Sequence, residues 1–158
     1  MTFRQLVALA TLGSMALLGG AFVFQLLGYA PCKLCLWQRW PHAAAIVLGA
    51  LILTMAPSRI LAALGGLAAL GTAGIGIYHT GVERGWWMGP TSCTSGGQGL
   101  NSLSGDLLLP GNAAVEPVVL CDEVAWELFG LSMASWNASF SLALAVIWVL
   151  ALTAPRKA

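Results

Sequence analysis

Charge is what this chain has least of. Only 8% of its 158 residues are Asp, Glu, Lys or Arg, against a usual share of about 25%, while 58% are apolar. So few charges cannot cover a globule of this size in water, and a net charge of +1 gives no basic face for nucleic acid. Histidine is scarce as well, two residues in all, and no histidine-rich metal signature is present. There is no Gly-rich loop of the kind that cradles phosphates. The composition belongs in lipid, and the length allows one domain.

What fills the chain is long apolar runs. A bilayer core takes about 20 apolar residues per helix, and four stretches answer to that: Gln5 to Tyr29, Leu36 to Ala56, Ile60 to Tyr78 and Asn137 to Thr153. The expected fold is therefore an all-α membrane protein, a four-transmembrane-helix bundle. One long loop, from Gly81 to Trp136, separates the third and fourth helices. Pro57-Ser58-Arg59 reads as a tight turn that sets the second and third helices antiparallel. Gly28-Tyr29-Ala30 has the small residues of a signal cleavage site, but the apolar run before it exceeds the usual h-region of about 7–15 residues. It is read as a retained first helix. On the third helix Gly65, Ala69 and Ala73 recur every four positions, as do Ala62 and Gly66, which predicts faces for close helix approach.

Arg4, Arg59, Arg156 and Lys157 fall on the side of the termini and the short turn, the cytoplasmic side by the positive-inside rule. Lys33, Arg39 and Arg84 oppose them. Cysteine placement breaks the tie, because all four thiols would then face a compartment that permits disulfides. Six of the seven Trp (Trp37, Trp40, Trp86, Trp87, Trp126, Trp136) gather near that same face, as an aromatic belt at one interface would.

Within the loop, the Gly-, Pro- and Ser-rich stretch between Cys93 and Pro117 predicts irregular structure. Leu107-Leu108-Leu109 can dip into the interface or pack on the loop. Asp122 to Phe129 is expected to form an amphipathic helical turn or two ended by Gly130.

The chemistry lies in Cys32-Lys33-Leu34-Cys35, between the first two apolar runs, and in Cys93 and Cys121 in the loop. A helix starting near Cys35 aims its dipole at that thiol, and Arg39 follows at i+4; both predict a lowered Cys35 pKa. Pro41 kinks the second helix or marks where its regular part begins. His42 is read as a polar anchor at the membrane edge, ahead of a proton relay. Lys33 adds positive charge beside both thiols, which favours the reduced pair and a more oxidising potential. Two structural disulfides would also satisfy the cysteine count, though a tight C-x-x-C ring beside an Arg is an odd staple. A four-thiolate zinc site is weaker, because the second pair lacks the close spacing usual for such sites.

Pro31-Cys32-Lys33-Leu34-Cys35-Leu36-Trp37-Gln38-Arg39 resembles the signature of the disulfide bond formation protein B (DsbB) family of bacterial inner-membrane thiol:quinone oxidoreductases. Tyr78-His79-Thr80-Gly81, Trp86-Trp87 before Cys93, and Cys121 followed by Trp126, Phe129-Gly130-Leu131 and Trp136 are similar to its later segments. The resemblance implies an enzyme that reoxidises a periplasmic thioredoxin-fold oxidase, DsbA. The oxidase would attack a Cys93–Cys121 disulfide at Cys93, and the freed Cys121 would attack Cys32. Cys35 would be left as a thiolate against a membrane quinone, ubiquinone or menaquinone. Arg39 matches the family position that supports quinone binding, and His79 one that lines the same pocket. It also implies both termini in the cytoplasm and the cysteines in the periplasm. A vitamin K epoxide reductase-like enzyme is the nearest rival, but there the loop pair precedes the C-x-x-C, opposite to the order here.

Overall fold

The computed structural model describes residues 1–55, 57–90 and 119–155. Cys93, Leu107-Leu108-Leu109 and the rest of the Gly-rich stretch lie outside the described residues. Four long helices carry the fold: α1 (Phe3–Leu26), α2 (Lys33–Thr54), α3 (Arg59–Glu83) and α4 (Met133–Thr153). They pack in a ring, α1 against α2, α2 against α3, α3 against α4 and α4 back against α1. A main-chain bond from Phe3 N–H to the Pro155 carbonyl ties the first helix to the end of the last. α1, α3 and α4 are long and apolar enough to cross a membrane. α2 has 22 residues, about 33 Å at 1.5 Å each, but its first half carries Lys33, Gln38, Arg39 and His42.

Local signals explain the helix limits. Thr2 caps α1 in a reciprocal pair with Gln5, and the helix stops before Gly28, whose φ of +97° is left-handed. It therefore ends at Leu26 and not at Tyr29. Ser58 caps α3 and Ser132 caps α4, each accepting a main-chain N–H three residues on. The Ser132 cap starts α4 four residues ahead of the expected Asn137. Pro41 lies inside α2, where it has no N–H to give the preceding turn. Beside it, the Gln38 carbonyl takes a bond from Thr72 Oγ1 of α3 at 3.1 Å.

α3 overruns its expected end at Tyr78 by five residues, to Glu83. The Trp87 ring folds back over this last turn. Its Nε1–H donates to the Tyr78 carbonyl at 2.7 Å, and it stacks on Tyr78 with centroids 6.1 Å apart. A Cβ at Gly81 would meet that indole at 2.1 Å, so glycine is what lets the ring lie on the helix.

The segment after Cys121 corrects the expected helical turn. Glu127–Leu128 (β1) pairs antiparallel with Leu131–Ser132 (β2), and Phe129 and Gly130 between them have φ of 54° and 74°. Two left-handed residues in a row make a tight hairpin. Gly130 therefore turns a ribbon instead of ending a helix, and Arg84 Nη2 holds its carbonyl at 3.0 Å.

The small residues of α3 do what their spacing predicts. Ala62, Gly65, Gly66, Ala69 and Ala73 are all buried, and the fully buried indole of Trp148 on α4 lies against Gly65 and Gly66. A Cβ at Gly65 would approach that ring to 2.8 Å. Phe3, Leu6, Val7 and Ile52 complete this core at the end holding the Phe3–Pro155 bond.

Candidate functional site

At the opposite end the cysteines meet. Cys32 is the N-cap of α2, and its Sγ accepts the Cys35 main-chain N–H at 3.2 Å. The two Sγ atoms are 3.0 Å apart, and both residues are free cysteines sharing a thiol proton. Cys121, fully buried and disulfide-bonded, packs with Cys32, Leu34 and Val82 in one cluster. The loop cysteine thus lies against the C-x-x-C pair.

The seat for negative charge is Cys32, which corrects the expectation for Cys35. The helix N-terminus is aimed at the capping sulfur, and Cys32 lies one turn before the residue expected to gain from it. The Cys35 thiol, and then His79, hold the Cys32 pKa well below the ordinary thiol value against the opposing effect of burial. His79 Nε2 stands 3.5 Å from Cys32 Sγ and 3.7 Å from Glu83 Oε1. The Glu83 carboxylate also takes a hydrogen bond from Ser132 Oγ. Because α3 continues to Glu83, His79 sits a turn inside the helix and is 2% exposed, not at a helix end facing headgroups.

Behind the thiols runs a buried polar chain. Gln38 Nε2 reaches His79 Nδ1 at 3.0 Å and the Leu34 carbonyl at 3.3 Å. Asn137 Nδ2 of α4 donates to Gln38 Oε1 at 2.6 Å and to Thr72 Oγ1 at 3.2 Å. His42 Nε2 lies 3.0 Å from Asn137 Oδ1 and 3.5 Å from Ser141 Oγ. At 3% exposure His42 is an interior residue, not an anchor at a membrane edge. Thr72, Glu83 and Asn137 escaped the reading of the sequence as site residues, and Gln38 entered it only as part of the Pro31–Arg39 motif, with no role of its own.

A cavity of about 390 Å³ opens beside this chain, with Cys35, Arg39, His42 and His79 in its wall. The rest is mostly apolar, from Leu17 and Phe24 of α1 to Phe140 of α4. Arg39 donates to Gln25 Oε1 at 2.8 Å and lies over the Phe22 ring at 4.8 Å, while its Nε is buried without a partner among the described residues. Lys33 turns toward Trp37, its Nζ 5.6 Å from the ring centroid. Cys32 Sγ, Cys35 Sγ and His79 Nε2 lie within 4.8 Å of one another, a convergence suited to a thiophilic ion. The four-thiolate arrangement is not formed, since Cys121 is in a disulfide.

The family model of disulfide bond formation protein DsbB matches residues 3–151. The chain belongs to the DsbB family. Among its relatives, disulfide bond formation protein B 2 of Pseudomonas aeruginosa is 35% identical over 140 residues, 80% of this chain and 74% of that protein. Disulfide bond formation protein B of Albidiferax ferrireducens is 31% identical over 157 residues, 90% of this chain and 84% of its own. That of Verminephrobacter eiseniae is 30% identical over 144 residues, covering 86% and 78%. No solved structure matches the chain. DsbB membership carries with it a disulfide-forming oxidoreductase role, and three helices able to cross a membrane agree with it.

Proposed function

We propose that this DsbB-family chain is a protein-disulfide:quinone oxidoreductase of the bacterial inner membrane. All four helices span, with both termini in the cytoplasm and the cysteines in the periplasm. A DsbA-like dithiol oxidase is its partner, and ubiquinone or menaquinone is its electron acceptor. The observation that carries the reading is the placement of the free Cys32–Cys35 pair at the mouth of an apolar cavity whose wall includes Arg39.

The cavity fits a quinone on its own terms. Its walls suit an apolar ring and tail, and Arg39 Nε–H is a buried donor lacking an acceptor among the described residues, which a ring carbonyl would supply. A quinone accepts two electrons and two protons per turnover. The protein's part is to form and break disulfides in order. In the oxidised form, with Cys32 and Cys35 joined, exchange with the partner through Cys93 frees the Cys121 thiol, which attacks Cys32, with which it is already packed, and breaks the Cys32–Cys35 bond. While Cys32 is held in that mixed disulfide, the charge passes to Cys35, which lines the cavity. The partner's second thiol then closes the partner's own disulfide and frees Cys93, which attacks Cys121, re-forms the loop disulfide and releases Cys32. The Cys32–Cys35 disulfide would then close as the pair's two electrons pass to the acceptor. His79 Nε2–H, beside Cys32, steadies the charge whenever that sulfur is a thiolate, and the aromatic Phe24 and Trp126, 5.1 Å apart, line the same cavity as the pair.

Anaerobic single turnover tests this. The reduced, detergent-solubilised protein is mixed with a soluble ubiquinone analogue, and quinone loss is followed with free thiols. Quinone consumed in step with thiols lost, and abolished by Cys35→Ser, is the expected outcome. Thiols that stay inert to quinone would return the chain to a disulfide-stapled scaffold with the family's fold only.

A further inference from the structure

The buried amides can be oriented from one fixed point. The Leu34 carbonyl can only accept, so the Gln38 atom 3.3 Å from it is the amide nitrogen. Gln38 Oε1 then faces Asn137 and takes a hydrogen from its Nδ2. Asn137 Oδ1 is left for His42, so His42 Nε2, 3.0 Å away, carries the ring proton. Thr72 agrees: its hydroxyl hydrogen goes to the Gln38 carbonyl, leaving its oxygen to accept from Asn137.

A neutral imidazole protonated on Nε2 has a bare lone pair on Nδ1. Nδ1 of His42 is buried without a partner among the described residues, and His42 lines the cavity. Arg39 precedes it by three residues on the same face of α2 and presents the converse, a buried Nε–H with no acceptor. Two residues of the cavity wall thus carry one unpartnered donor and one unpartnered acceptor among the described residues. A ring with two carbonyl oxygens can use the donor alone. A ring bearing hydroxyls can use both.

We infer that His42 Nδ1 accepts a hydrogen bond from a ring hydroxyl of the reduced ligand, so that the cavity holds a para-quinol more tightly than the matching quinone. This rests on the quinone reading above. The balance is simple. The Cys32–Cys35 pair gives two electrons as its S–S bond forms, the ring takes them with the proton the two sulfurs share and one proton from water, and one new O–H then points at His42. His42 neither gains nor loses a proton. Tighter binding of the reduced form draws the electron transfer forward.

The test is isothermal titration calorimetry without oxygen, using the full chain in lipid nanodiscs with Cys35→Ser to block turnover. The probes are a decyl-substituted benzoquinone and its hydroquinone. The parent is expected to bind the hydroquinone more tightly. His42→Leu should weaken hydroquinone binding about tenfold, one neutral hydrogen bond's worth, and leave the quinone within about twofold. Equal losses for both ligands, or none, would overturn the inference while leaving the quinone reading standing; no binding of either ligand to the parent would sink both. A second measurement needs no change at His42. In ¹⁵N-histidine NMR spectra of the same protein, the His42 Nδ1 resonance should move on adding hydroquinone and stay with quinone. A resonance unmoved by hydroquinone overturns the proposal even if His42→Leu fails to fold.

Discussion

Gln38 Nε2 donates to His79 Nδ1 at 3.0 Å, and that bond decides which side of the imidazole faces the thiols. With Nδ1 engaged as an acceptor, the ring proton is on Nε2, 3.5 Å from Cys32 Sγ. A glutamine of α2, between Trp37 and Arg39, thus governs the Cys32 sulfur through one histidine of α3.

Gln38→Leu should therefore act on both stability and charge. It leaves Asn137 Nδ2 and His79 Nδ1 short of a buried partner, at a cost of about 1–3 kcal/mol. It also lets the His79 proton move to Nδ1, away from Cys32. The expected outcome is a lower unfolding midpoint in denaturant together with a higher Cys32 pKa; an unchanged pKa would mean the tautomer is set elsewhere.

The Cys32 thiol sits well below the ordinary thiol value. For a group depressed in this way the thiolate, and its contribution to the reduced state, persists as pH drops through the ordinary thiol range. It is lost only as pH falls through the depressed value. In a Cys93→Ser/Cys121→Ser background, the thiolate ultraviolet absorbance of the reduced protein should survive at pH 6. His79→Ala should shift its midpoint upward, whereas a midpoint near the free-thiol value in the parent would contradict the capping geometry.

Arg39→Ala removes the open donor in the cavity and its bonds to Gln25 and Ala21. A charged hydrogen bond is worth about 1.5–3 kcal/mol, so the quinone KM should rise roughly 10- to 100-fold. Arg39→Lys should recover only part, because an ammonium lacks the fork that reaches Gln25, Ala21 and a ligand together. Full recovery by lysine would reduce the role of Arg39 to its charge.

Lys33→Glu places a negative charge next to the Cys32 cap. The reduced pair is then less favoured, and the Cys32–Cys35 potential should become more reducing in a glutathione titration. No change would mean that Lys33, turned over Trp37, contributes nothing at the sulfurs.

Two glycines of α3 make a packing test. Gly65→Ala would press a methyl to 2.8 Å from Trp148, whereas a Cβ at Gly74 meets nothing within 4 Å. Overpacking costs about 1–3 kcal/mol, so Gly65→Ala should lower the thermal midpoint in detergent and Gly74→Ala should not. Equal midpoints would mean that the Trp148 ring moves aside freely.

Much of this was legible beforehand because lipid leaves a coarse signature. Four apolar runs, the small-residue repeat from Ala62 to Ala73 and the C-x-x-C spacing each follow from local composition; the structure has four long helices, three of them long and apolar enough to span, with the small residues of α3 buried and the C-x-x-C at the start of α2. Cys35, Arg39 and His79, chosen by resemblance, do line one cavity. What could not be read depends on contacts across helices. The Phe129-Gly130 hairpin follows from backbone pairing and the charge on Cys32 from which residue holds the cap. α3, by contrast, stops at Glu83 on a local signal that was passed over, the left-handed Gly85, whose N–H donates to the Val82 carbonyl while that of Trp86 donates to the Gly81 carbonyl. The Gln38–Asn137–His42 chain joins two helices almost a hundred residues apart in sequence, and no periodicity marks it.

Trp148 has an optical consequence. It is fully buried between α3 and α4, about 18 Å along α4 from Trp136 at 1.5 Å per residue, while the other six indoles crowd toward the cysteine end. Its fluorescence should be blue-shifted beneath the redder emission of its exposed counterparts. A quinone in the cavity would quench those neighbours first, and the residual blue band would remain as a built-in gauge of whether the far half of the bundle is still packed.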